Sequence, residues 1–98
     1  MFVRVVRFSE VTPERITSLK AKIEAETGPP PGVPSTGIQV LFDAEQGTAV
    51  VLQYFKTLEH LREGEAVLSA MPAGETPGVR VSVDVAELAI ENFADRTA

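Results

Sequence analysis

The chain predicts an α+β fold in which a four-stranded antiparallel sheet carries two helices on one face. Three observations predict it. Four β-rich apolar runs and two helical stretches follow one another in the order β-α-β-β-α-β and fill 98 residues. Caps and turn residues bound every run, leaving no linker between domains. The central strand runs are apolar on both faces, the pattern of a sheet covered on both sides.

Phe2 to Phe8 reads Phe-Val-Arg-Val-Val-Arg-Phe, β-branched and aromatic throughout, and makes the first strand. Thr12 then suits an N-cap, with Pro13 at the first helical position and Glu14 beside the positive helix end. Val11 and Ile16 stand where a hydrophobic staple needs them, and Ile16, Leu19 and Ile23 recur at helical spacing. Gly28 and Pro29 stop the helix. The segment from Gly28 to Thr36 holds four prolines and reads as a stiff connector; its PxxP spacing has no flanking Arg or Lys to orient a peptide partner.

Ile38 to Asp43 and Thr48 to Phe55 form two strands around the short loop Ala44-Glu45-Gln46-Gly47. Thr57 caps a second helix with an apolar stripe of Leu58, Leu61, Gly64, Val67 or Leu68, and Met71, closed by Pro72. Gly64 marks either a break or a close approach to the sheet. After the turn-rich stretch 72–78, Val79, Val81, Val83 and Val85 alternate with Arg80, Ser82 and Asp84. Leu88 and Ile90 fall in the opposite parity, so a bulge near Ala86-Glu87 is expected in a last strand reaching about Glu91. Residues 1–91 read as one domain and 92–98 as a frayed polar tail.

Composition narrows the classes. A net charge of −5 with nine scattered Lys and Arg argues against a nucleic-acid surface. With no cysteine and one histidine, thiolate chemistry and ordinary zinc or iron–sulfur sites are excluded. No GxGxxG, P-loop, nucleophile elbow or HExxH motif occurs, so no cofactor and no metal are expected. No run is long enough to span a bilayer, and Met1-Phe2-Val3-Arg4 opens directly into a strand, so no membrane partner and a cytoplasmic location are the expectations.

The element order is that of a ferredoxin-like sandwich. In it the first and third strands are central. Val50, Leu52 and Tyr54 would face one way and Ala49, Val51, Gln53 and Phe55 the other, with Val3 and Val5 similarly opposed to Phe2, Val6 and Phe8. The face away from the helices is therefore too apolar to leave in water, and a homodimer is expected. On this order, size, two-faced strands and long last strand, residues 2–91 resemble the dimeric α/β-barrel superfamily, which includes antibiotic-biosynthesis-type monooxygenases, muconolactone-isomerase-like proteins and stress-responsive barrel proteins. The resemblance implies two sheets facing each other as a barrel, with a ligand pocket between sheet and helices. It also implies monooxygenase-like or isomerase-like chemistry, but the Asn and Trp of the monooxygenases have no counterpart: the chain has no Trp, and its one Asn, Asn92, lies in the tail. Whether the chain is an enzyme stays open.

The candidate site residues are the polar side chains among apolar strand neighbours: Arg4, Gln39, Gln53, Arg80 and Asp84. Arg4 or Arg80 would hold a carboxylate or enolate, and Asp84 would act as base or orient an arginine. Alternatively Arg80 and Asp84, on one face of the last strand, form a structural ion pair. His60 is the only histidine and could serve as a base or a haem ligand, or be structural. Tyr54 reads as a buried tyrosine with a satisfied hydroxyl. Glu24/Glu26 and Glu63/Glu65 read as solvated helix faces. Three functions follow: binding or processing of a small acidic or phenolic molecule, a non-enzymatic dimerisation module with a packed interior, or haem binding through His60.

Overall fold

A computed structural model describes residues 1–72 and 75–94. Strand β1 (Phe2–Ser9) is followed by α1 (Pro13–Ala25), β2 (Gly37–Asp43), β3 (Thr48–Phe55), α2 (Leu58–Leu68) and β4 (Val79–Glu87). The strands form one antiparallel sheet in the order β2-β3-β1-β4. The ferredoxin-like α+β arrangement is thus present, with β1 and β3 central.

Local chemistry starts both helices where expected. The hydroxyls of Thr12 and Thr57 accept from the backbone N–H of Arg15 and His60 at 3.2 and 3.1 Å, caps worth about 1 kcal/mol each. Val11 is buried and Ile16 packs beside it, completing the staple. The first helix ends earlier than Gly28 suggests: Glu26 already has extended backbone. Gly64 is a close approach, not a break. A Cβ there would lie 2.8 Å from the Phe55 ring and 3.2 Å from Val33 Cγ1.

The last strand corrects two expectations. It ends at Glu87, because β1 begins at Phe2 and no partner backbone extends beyond it; the Leu88 N–H closes the ladder on the Met1 carbonyl at 2.9 Å. The bulge lies at the other end. Arg7 pairs with Ser82 and Phe8 with Arg80, so Val81 is the extra residue. Arg80 therefore shares the face of Phe8, whereas Ser82 and Asp84 share that of Arg7 and Val5. The expected Arg80–Asp84 ion pair does not form, because the two residues point to opposite sides. Part of the 92–98 tail and of the 72–78 turn, residues 95–98 and 73–74, lies outside the described residues.

Register orders the helix-covered face into rungs along β1 and β3: Phe2 with Phe55, Arg4 with Gln53, Val6 with Val51, and Phe8 with Ala49. The apolar rungs build two separate cores. One gathers Val6, Phe8, Val11, Ala49 and Val51, with Ile16, Val40 and Phe42 against it. The other joins Phe55, Leu61 and Leu68 to Val33 of the proline-rich connector, with Phe2 and Met71 alongside. The connector is thus packed through Val33, which the sequence reading treated only as part of a stiff loop. Between the two cores lies the polar rung of Arg4 and Gln53.

Candidate functional site

The polar rung lies on the wall of a cleft. α2 packs on β1 and β3 through Leu61, Gly64 and Leu68, but α1 buries no residue fully. Leu19 and Ile23 are only half-buried, and a cleft of about 1060 Å³ remains between α1, the connector, the end of α2 and the sheet. Arg4, Gln53, Val6 and Val51 line its sheet side, Leu19 and Ile23 its helix side, and Pro29, Pro30 and Pro31 the connector side. Arg80 reaches the same cleft because the Val81 bulge turns it inward. Across the rim, Lys22 Nζ stands 3.6 Å from Glu75 Oε1, and an Arg15 guanidinium N–H donates to the Thr76 carbonyl at 2.5 Å.

Arg4 is the unusual group. It is 4 % exposed, yet its Nε and Nη2 have no hydrogen-bond partner. The nearest carboxylate, Glu65 Oε2, lies 3.7 Å from Nε, beyond hydrogen-bonding distance. Burial holds this guanidinium below the ordinary arginine range, the positive charge of Arg80 pushes the same way, and Glu65 opposes both. It stays cationic at neutral pH, since arginine is not deprotonated in proteins. Arg80 Nη2 donates to the Leu68 carbonyl at 3.4 Å, at the carbonyl-rich end of α2. Two guanidinium groups and one carboxamide thus line one apolar cleft, the donor set that recognises a carboxylate or other oxyanion.

Of the residues singled out from sequence, Arg4, Gln53 and Arg80 are brought together here. Gln39 and Asp84 lie exposed on the opposite face of the sheet, paired in register with Leu52 and Val5. Gln39 accepts there from the Tyr54 hydroxyl at 2.5 Å, which satisfies that tyrosine. His60, half-buried in the first turn of α2, is not among the residues lining the cleft. Glu65 was missed: read as a solvated face, it is half-buried against Arg4. The signal was its spacing, four residues after Leu61 and three before Leu68, inside the buried stripe of α2. Among the described residues no helix is long and apolar enough to cross a membrane, and no group of three or more His, Asp or Glu could hold a metal ion.

The geometry bears comparison with known proteins. No protein-family model and no curated protein matches the chain. Among solved structures, that of Rv0793 from Mycobacterium tuberculosis is similar, with 19% sequence identity and a TM-score of 0.52, over 97% of this chain and 100% of that one. The likeness shows the fold.

Proposed function

We propose that the protein binds a small organic anion, a carboxylate or phenolate with an apolar body, in the cleft between sheet and helices. The observation that carries this reading is Arg4: a buried cation with two nitrogens lacking acceptors, lining a cleft large enough for such a molecule. The ligand's oxygens lie against the exposed Arg80 guanidinium and within the field of the buried Arg4 charge, and Leu19, Ile23 and the prolines cover its body. Arg80 adds a second charge and Gln53 a neutral donor. An open cleft favours this reading over a packed dimerisation module, and the position of His60 outside the cleft gives haem binding no support. The test is titration calorimetry with 2-naphthoate. Saturable binding is expected, with a loss of tenfold or more in Arg80→Ala and in Arg4→Met; undiminished binding in both would remove the arginines from the site.

We further propose that the helix-free face of the sheet packs on a second copy, as the resemblance to the dimeric α/β barrels implies. Val3, Val5, Val50 and Leu52 form its middle, and Leu41 on β2 is 56% exposed. Its charged residues, Arg7, Asp43 and Asp84, carry both signs, so that under a two-fold axis the face is complementary to itself. Sedimentation at micromolar concentration is expected to give a particle of twice the 10.5 kDa chain mass. A monodisperse particle of the single-chain mass would sink the dimer.

A further inference from the structure

We infer that the anion taken by the cleft is a long-chain fatty acid, its carboxylate at Arg80 and its chain laid diagonally across the sheet beneath α1. This rests on the anion-binding reading above and specifies the body of the ligand. The floor of the cleft steps across all four strands. Ile38, Gln53 and Arg4 share its first rung, Val51 and Val6 its second, and Phe8 and Arg80 its third. Three strand spacings of about 4.8 Å, and four residues of about 3.3 Å along the strands, give a diagonal of about 19 Å. Helix α1 follows the same line, with Arg15 bonded to Thr76 near Arg80 and its last turn leading to the connector that enters β2 before Ile38. Its thirteen residues span about 20 Å, so roof and floor match in length.

The lining between the two ends is aliphatic. Arg4 and Gln53 are almost wholly covered, and Leu19, Ile23, Ile38 and Met71 supply accessible apolar surface. Among the described residues the one aromatic side chain lining the cleft is Phe8, and it is buried, which leaves no exposed ring for a flat ligand to stack on. Helix α1 lines the cleft with Leu19 and Ile23 yet buries nothing fully, so the apolar layer beneath it is incomplete. A chain of methylenes completes it. Carbon–carbon single bonds of about 1.5 Å advance an extended chain by about 1.25 Å each, so about 14–16 carbons span the diagonal. At the head, Arg80 is exposed and Glu75 is held by Lys22, so a single guanidinium faces a single carboxylate.

The experiment is a calorimetric titration with octanoate, decanoate, dodecanoate and tetradecanoate. One molecule is expected to bind per chain, tightening about fivefold or more with each two-carbon step as further methylenes are buried. Dodecylamine, of equal length and opposite charge, is expected to bind at least tenfold more weakly than dodecanoate. Ile23→Trp narrows the channel near its tail end. Octanoate should bind that variant within about threefold of wild type, while the gain from longer chains is lost; circular dichroism checks that it is folded. Equal affinity for octanoate and tetradecanoate overturns the fatty acid and, with 2-naphthoate still bound, leaves the anion site standing. An unchanged chain-length series in folded Ile23→Trp overturns the placement of the chain. Dodecylamine binding as tightly as dodecanoate overturns the anion reading as well, and so does a failure of every probe to bind.

Discussion

Replacing Arg4 with methionine is expected to stabilise the ligand-free protein and abolish anion binding. Arg4 sits between two apolar cores with Nε and Nη2 unpartnered and a carboxylate too distant to bond. A buried polar group left without a partner costs about 1–3 kcal/mol. Methionine is unbranched, follows the arginine stem as far as Nε and carries no N–H to leave unpaired. Glu65 loses its counter-ion, but it is 30% exposed and can be hydrated. The expected gain is about 1–3 kcal/mol, seen as a higher urea midpoint and a melting temperature raised by about 4–8 °C per kcal/mol for a domain this small. Naphthoate titration of the same variant should be flat. A less stable variant would mean that Nε or Nη2 of Arg4 is held by a hydrogen-bond acceptor.

The pH dependence of that gain follows from its sign. Burial and Arg80 lower the pKa of Arg4 in the folded protein below its value in the unfolded chain. A base depressed in this way destabilises the fold wherever it is protonated, and relief comes only as pH rises through the arginine range. The advantage of Arg4→Met is therefore expected to be equal at about pH 6 and about pH 9. Binding should in turn raise the melting temperature of the wild-type protein and not that of the variant. Under the proposed function, the unpartnered Arg4 is a cost to stability retained for binding, a common exchange.

Gly78→Ala is expected to have the largest effect on folding. Gly78 is buried at the entry to β4, where a Cβ would overlap the Ser9 carbonyl oxygen and come within 2.8 Å of Val11 Cγ2. Neither neighbour can yield easily. Ser9 is backbone paired with Val79, and Val11 belongs to the larger core. Overpacking of this kind costs about 1–3 kcal/mol and more when backbone is the obstacle. The displacement would also carry away Pro77 and Arg80, which line the cleft. Gly28→Ala is the control: nothing lies within 4 Å of its Cβ position, and stability should be unchanged or slightly increased. Urea denaturation of the two variants decides the matter, and near-equal stabilities would show that the β1–α1 corner is more yielding than its packing suggests.

The order of elements, both threonine caps and the staple were legible because each depends on residues close in sequence. Arg4 and Gln53 were legible one by one, because strand parity places each among apolar neighbours, but their pairing depends on the register of β1 against β3, which sequence left open. What escaped depends on distant chain. The valines at 79, 81, 83 and 85 alternate without interruption, so nothing local marks Val81 as an extra residue; the shift arises where β4 meets Arg7 and Phe8. Val33 lies in a proline-rich connector with no periodicity to show that it plugs the second core. Glu65 was half-legible, its spacing pointing inward and its charge outward.

The extra residue at Val81 has a wider meaning for the sheet. An unbroken alternation would send Arg80, Ser82 and Asp84 to one side, and a cation needed on the other side would require a change of residue. A bulge instead moves a boundary within the strand: side chains before it obey one parity and those after it the opposite one. β4 thereby addresses both faces of the sheet from a single uninterrupted pattern, placing a guanidinium on the helix-covered face and a carboxylate on the opposite one. Sliding that boundary by one position would reassign side chains between the two without altering the letters that form them.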